Sequence, residues 1–486
     1  MARARKEALV PHSWSLGVAL LAFAAYLALT PPVSGDKDSS EFTLVLALLG
    51  VAHPTGYPLY TMLGHAWVTA IHALGATWEY AANSWSGLGG AVAIYFLNRL
   101  ALSLLPAEAR LGRGRRFVLA LLPCAFFALD PVWTYETTLA EVYSWHVAWW
   151  LGASVLLLAT ARAIRANQPL AGRVALWGLA CGLGAAHHAT SVFLVVPGTI
   201  ALVLELARAK RFPAAAGLLA FLVPLAAYAY IPWRESVPGA YLWPTLAPGW
   251  PGFLAHVTGR QYVHFLGSFA PSAAQRGFLF WYVWPLLVPG LFILVRLAWR
   301  SGDLAIRALA AAALAGTAYT LFYGAPDPSS YFMAPMATGL AALAPALAKR
   351  GRGLANALAA LALALCVAWS FVGVSRVQGF VRFHEVLLSM WRVIPEGRGF
   401  VFWQDDNFQA LRIRQRLYGE KREIAVFNPM LLAHPVARRH FSDQFGFDPV
   451  AAGIPLEQHV NQVSPLPVVH FDAAQGQVRL LKKATP

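Results

Sequence analysis

Apolar runs of about twenty residues recur along most of this 486-residue chain, and they leave it few folds to choose from. "SWSLGVALLAFAAYLALT" and "GLANALAALALALCVAWSFVGV" are each long enough to cross a bilayer. Only 13% of residues are charged, where a soluble chain carries about a quarter. The chain reads as a polytopic α-helical membrane protein. Eleven spans are expected, near 14–31, 84–104, 117–133, 146–161, 174–187, 191–207, 213–231, 278–296, 306–323, 331–348 and 353–374.

The formal charge of +15 has a topological cause. With the N-terminus inside, twenty Lys and Arg fall in inner segments, around 3–6, 99–116, 162–173, 208–211, 296–307 and 349–352. The outer segments up to residue 375 hold four, Lys37, Arg234, Arg260 and Arg276. That bias is a positive-inside signal, so the basic balance does not imply a nucleic-acid partner. The expected place is the cell (inner) membrane, with the N-terminus cytoplasmic. The first span lacks a small-x-small site and runs straight into an acidic loop, which argues against a cleaved signal. Cys124, Cys181 and Cys366 all lie in apolar runs, so neither a disulfide framework nor a thiolate metal site is expected.

Residues 1–375 form the expected transmembrane domain, with two long outer segments, 32–83 and 232–276. Both mix Pro, Gly and aromatics, as suits chain lying along a membrane surface. "TLVLALLGVA" is too short to span and fits an interfacial or re-entrant helix. Residues 376–486 hold 14 of the 38 Lys and Arg and no spanning run. There "GFVFWQD", "DNFQALRIRQRLYG" and "EIAVFNP" read strand–helix–strand, a small α/β domain that an odd number of spans leaves on the periplasmic, extracytoplasmic side.

The acids follow the same topology: most lie in outer segments or at the outer ends of spans, which points to an outward-facing site. Asp36, Asp38 and Glu41 open the first outer segment in "SGDKDSSEF". Asp38 and Glu41, three apart, share a face of a helical turn. Such a pair can bind a cation or act with one acid orienting the other as a general base. Equally, "DKDSSE" can simply cap the next helix. In "AHPTGYPLY", His53 and Tyr57 sit in a turn stiffened by Pro and opened by Gly56, and the plain alternative is a turn bearing an interfacial Tyr. Glu141 lies at the outer end of the fourth span. His187 and His188 form a pair suited to metal or phosphate, although no Cys or matching acid spacing assigns a metal. Arg234 and Arg260 suit an anionic headgroup or diphosphate, with phospholipid anchoring as the alternative.

"DSSEF…LGVAHPTGYPLY" resembles the Asp-Ser-Gly-Glu-Phe…Leu-Gly-x-x-His-Pro-Pro-Gly-x-Pro-Leu-Tyr signature of the domain-of-unknown-function family 2723. Eukaryotic relatives of that family are transmembrane O-mannosyltransferases of the GT-C type. The likeness continues through Asn83, "PVWTYETTLAEVYSWH", "GLGAAHHATSVFLVVPG", "YIPWRE…W…FLAHVTGRQY", "DPSSYFMAP" and "GFVFWQDDNFQALRIRQRLYGEKREIAVFNPMLL". Ser40 replaces a usual Gly, Thr55 a usual Pro and Asp130 a usual Ser, while Asp36 is extra, which leaves the base open between Asp36 and Asp38.

The resemblance implies a GT-C glycosyltransferase that moves a sugar, such as mannose, from a polyprenyl-phosphate donor to an extracytoplasmic hydroxyl of a protein or glycan acceptor. It implies Asp38 as base, with Glu41 positioning Asp38 or the acceptor. His53, His187, Arg234 and Arg260 are then candidates to stabilise the departing phosphate. Glu141 and Tyr143 are candidates to line a sugar pocket. No cofactor is required, and room is left for a divalent metal. The rivals are a transporter or lipid flippase and a non-catalytic assembly subunit. Against transport, the acids gather at the outer face, and no paired broken helices mark inverted repeats.

Overall fold

Each of the eleven apolar runs is helical in the computed structural model, which describes residues 10–35, 38–106, 111–211, 214–325, 327–350, 352–394, 396–403, 407–464, 466–472 and 477–482. Among these residues eight helices are long and apolar enough to cross a membrane. A ninth forms if Arg113–Ala128 and Pro131–Thr138 count as one span bent by 76°. The bend has a local cause. Asp130 is extended, accepts the Trp133 N–H at 3.0 Å, and starts a new helix with Pro131 in its first turn. The remaining two runs, His12–Ala28 and Ala171–His187, are helices of 17 residues, short of the usual span. The chain is a multi-pass membrane protein.

Small residues set the closest helix crossings, as expected where lipid offers no hydrophobic drive for association. A Cβ on Gly178 would lie 2.0 Å from the Gly217 carbonyl oxygen, and one on Gly182 2.2 Å from that of Phe221. These glycines seat Ala171–His187 against Ala214–Leu225. Cys124 and Cys181 are buried, Cys366 is exposed, and all three are free.

The apolar helix after the acidic cluster departs from the interfacial alternative of the expectation. It spans Ser39–Leu48, and residues 39–47 are all buried. An interfacial helix keeps one face on lipid or water, and this one keeps none. It packs against Pro58–Ala73, Trp78–Leu104 and a helix from the far end of the chain, Phe408–Leu417.

Position 376, the expected domain boundary, lies within a single 42-residue helix, Arg352–Val393. Beyond it stands a four-stranded sheet in the order β2-β1-β3-β4, with β1 Gly399–Trp403, β2 Ile424–Phe427, β3 Val468–Asp472 and β4 Gln477–Lys482. β1 runs parallel to both neighbours, pairing Val401 with Val426 and with Val469. All five β1 residues are buried, as a central parallel strand covered on both faces requires. Phe408–Leu417 is the β1–β2 crossover helix. Its Ile413 joins Phe42, Leu44 and Val45 of the acidic-segment helix in one apolar cluster.

Candidate active site

Two serines shape the entry to the helix Ser39–Leu48. Ser39 Oγ accepts the Gly35 N–H at 3.1 Å, and Ser40 Oγ reaches Ser34 Oγ at 2.9 Å. Asp38 occupies the N-cap position and its carbonyl accepts the Phe42 N–H at 2.8 Å, but its carboxylate makes no capping bond. The Asp38 side chain is 52% exposed, whereas that of Glu41, one turn on, is 2% exposed. An acid that only capped the helix would spend its carboxylate on the first-turn N–H groups. Asp36 lies outside the described residues.

Glu41 is occupied by His53. It accepts the His53 backbone N–H at 2.7 Å, and His53 Nδ1 lies 3.1 Å from each carboxylate oxygen. The far ring nitrogen, Nε2, is 3.3 Å from Tyr57 Oη and 4.0 Å from Asp38 Oδ2. Burial disfavours charge on His53, but the Glu41 and Asp38 carboxylates and the hydrogen bond to Glu41 outweigh it and raise the imidazole to about 9. His53 is therefore a cation at neutral pH. The turn that presents it depends on Gly56 at φ +87°, where a Cβ would meet Ile231 Cδ1 at 2.7 Å. Tyr57 follows in the left-handed region at φ 44°, unusual for an aromatic residue.

The end of the seventh apolar run and the second outer segment together grip the backbone leading into this turn. Tyr230 Oη donates to the Gly50 carbonyl at 2.6 Å, the Val51 N–H donates to the Tyr241 carbonyl at 2.9 Å, and His256 Nε2 meets the Ala52 carbonyl at 3.0 Å. Tyr241 Oη in turn donates to Gln409 of the crossover helix at 2.9 Å. Burial pushes His256 down to about 4, so it is a neutral donor.

Asp38, His53 and Tyr57 open onto a cavity of about 480 Å³. Its other walls carry Glu136, Glu141, Tyr143 and His188, then Thr258, Gly259 and Tyr262, then Asp327 and Tyr331. Glu41 stands behind His53. His187 does not line the cavity: the helix ends at His187, and His188 is extended (φ −154°, ψ 133°), so the two side chains diverge. His187 turns toward the Tyr60 ring, with centroids 6.4 Å apart, and the pair does not act as one ligand set. Arg234 also lies off the cavity, over the Trp233 ring, with Nη2 3.5 Å from the Leu48 carbonyl. Arg260 is exposed, beside the lining residue Gly259. Glu136, Asp327, Tyr262 and Tyr331 are lining residues that spacing did not single out. Glu136 and Asp327 lie in the stretches "PVWTYETTLAEVYSWH" and "DPSSYFMAP", but no local pattern ties them to Asp38.

Asp38, Glu41 and His53 offer ligand atoms within 4.8 Å of one another, and they are the described group that could hold a cation. A cation there would compete with the His53 proton that Glu41 binds.

The architecture is that of a known membrane fold. ArnT from Cupriavidus metallidurans, solved bound to undecaprenyl phosphate, matches 95% of this chain and 93% of its own, at TM-score 0.57 and 11% identity. The oligosaccharyltransferase of Archaeoglobus fulgidus in its apo form matches 86% of this chain and 65% of its own, at TM-score 0.48 and 14% identity. Fold and cavity together define a multi-pass membrane protein of the ArnT fold with an acid- and tyrosine-lined chamber. Residues 38–211 match the family model described as the Protein O-mannosyl-transferase TMEM260 N-terminal domain. The mouse Protein O-mannosyl-transferase TMEM260 is 27% identical over 262 residues, 52% of this chain and 34% of the mouse protein, so the chain spans about a third of that relative's length. The family match begins at Asp38 and takes in Glu41, His53, Tyr57, Glu136, Glu141, Tyr143 and His188; Arg260 and Asp327 lie beyond it.

Proposed function

We propose that this protein is an inverting glycosyltransferase that moves a sugar, mannose by its likeness to O-mannosyl-transferases, from a polyprenyl phosphate to a hydroxyl of a protein or glycan acceptor. The observation that carries the reading is the division of labour between two acids one turn apart: Glu41 is buried and held by His53, while the Asp38 carboxylate is left open to the cavity.

In the reaction the Asp38 carboxylate takes the proton of the acceptor hydroxyl as its oxygen bonds to the anomeric carbon from the face opposite the phosphate. The bond from that carbon to the phosphate oxygen breaks, and the lipid phosphate keeps the electron pair. Glu41 acts through His53, which it holds with Nε2 facing the Asp38 carboxylate at 4.0 Å. In this reading Arg260, exposed beside Gly259, meets the phosphate, whose charge grows as the bond breaks. Arg234 and His187 serve the scaffold.

The cytoplasmic N-terminus, eleven crossings and the outward, periplasmic C-terminal unit from about residue 376 belong to the same reading, supported by the charge bias of the loops. Purified protein given polyprenyl-phosphate mannose labelled in the sugar should transfer label to acceptor peptide, and Asp38→Asn should abolish it. Movement of labelled lipid across vesicles without transfer would make the protein a flippase instead.

A further inference from the structure

On the cavity wall, His188 sits at the head of a short polar relay that runs back through Thr190 to His146. The Thr190 backbone N–H points at His188 Nδ1 at 3.3 Å, and Thr190 Oγ1 lies 2.7 Å from the same atom. A backbone N–H can only donate, so Nδ1 is the acceptor and carries no proton. Neutral His188 must then bear its proton on Nε2. Thr190 Oγ1, donating to His188, accepts from His146 Nε2 at 3.0 Å. His146 Nδ1 is left as a buried acceptor with no partner among the described residues. Thr190, itself on the cavity wall, and His146 behind it thus set which nitrogen of His188 holds the proton.

His188 is 6% exposed, lines the cavity, and its Nε2 has no hydrogen-bond partner among the described residues. Three tyrosine rings surround it, Tyr143 at 5.7 Å and Tyr57 and Tyr331 at 6.0 Å between centroids. Protonating Nδ1 would turn one N–H against another, so the relay opposes a charged imidazole. It also rules out His188 as a base toward the cavity, since Nε2 is already a donor. One fixed, uncharged donor among aromatic faces matches a pyranose, which presents C–H faces to rings and hydroxyl oxygens at its edges.

We propose that His188 is a sugar-binding residue that donates its Nε2–H to an uncharged oxygen of the transferred sugar, with Thr190 and His146 as positioning residues that fix its tautomer. This rests on the transferase reading for the sugar's origin, but the subsite can be tested without turnover.

The full-length protein, labelled with ¹⁵N-histidine in micelles and with His188→Gln identifying the signal, should show His188 neutral with its proton on Nε2. Dolichyl-phosphate mannose should shift that signal, and dolichyl phosphate alone should not. In transfer assays Thr190→Val, which keeps shape, should raise the donor KM roughly 3–10-fold, the usual net worth of one neutral hydrogen bond, and Thr190→Ser should restore it. A Nδ1–H tautomer, an equal shift with dolichyl phosphate, or a Val variant equal to wild type would each overturn the proposal. A mannose-dependent shift in a protein that transfers nothing would sink the transferase reading and keep the subsite. Transfer without the shift would do the reverse.

Discussion

The two outer segments, 32–83 and 232–276, share a mixture of Pro, Gly and aromatics and have opposite fates. In the first, the helix Ser39–Leu48 is buried on every side, Asp38 at its start and His53 in the turn after it line the cavity, and Glu41 stands behind His53. The second exposes Trp233, Trp250, Leu254, Val263 and Leu266, and uses Tyr241 and His256, with Tyr230 just before it, to grip residues 50–52 of the first. Even their histidines differ, His53 being cationic between carboxylates and His256 neutral against a carbonyl. In the proposed reaction the first segment supplies the base, while the second braces the backbone behind it and adds Thr258 and Tyr262 to the cavity wall. Composition cannot separate these roles, because burial depends on what else the fold brings alongside.

The sharpest way to break this contrast is Asp38→Asn. The amide keeps the shape but cannot take a proton, so transfer should fall roughly 10²–10⁴-fold while donor binding persists. Rate and donor affinity measured in parallel decide it. An active variant would remove the first segment's claim to the chemistry.

Glycine substitutions probe the packing side of the comparison. Gly56→Ala forces a side chain into φ +87° and against Ile231, and should cost about 2–4 kcal/mol from strain and overpacking together. Gly249→Ala in the second segment also has positive φ, +78°, but meets nothing within 4 Å, so only the strain of about 1–2 kcal/mol is expected. Thermal unfolding of the two variants in detergent gives the difference directly, and equal losses would mean the segments are equally packed.

Arginines test whether the second segment touches substrate at all. Arg260→Lys keeps the charge but loses the planar fork, and should raise the donor KM roughly 10-fold. Arg234→Lys, off the cavity, should stay near wild type. Parallel kinetics with both variants settle the point, and a larger effect at Arg234 would reverse the assignment.

The last contrast is in pH. His53, raised to about 9, contributes stability that is complete below about 6.5 and lost as pH rises through about 9, because the native state holds a proton the unfolded chain releases. His256, lowered to about 4, contributes stability present above about 6.5 and lost as pH falls toward about 4. Melting temperatures from pH 4 to 10 should therefore decline at both ends. His53→Asn should flatten the alkaline limb alone, and His256→Asn the acidic limb alone.

Much of this was legible in the residues. The helical runs followed from unbroken hydropathy, and the His53 turn from Pro and Gly, because both are local properties. Asp130 looked like a departure from a usual Ser, but it caps Trp133, and Ser and Asp serve equally as caps. Asp38 and Glu41 do share a face, but Glu41 bonds His53, twelve residues on, in place of Asp38. The His187–His188 pair read as a unit because adjacency in sequence says nothing about where a helix stops.

By itself the sequence determined a membrane-spanning helical chain, an acidic cluster between apolar runs, and a strand–helix–strand unit at its end, since hydropathy and turn chemistry act over a few residues. Only the tertiary structure decided that the short apolar helix is buried, that Glu136 and Asp327 join Asp38 around one cavity, and that the crossover helix Phe408–Leu417 backs the acidic helix. Those are contacts between residues about 100 to 370 positions apart, and packing, which no local pattern encodes, sets them.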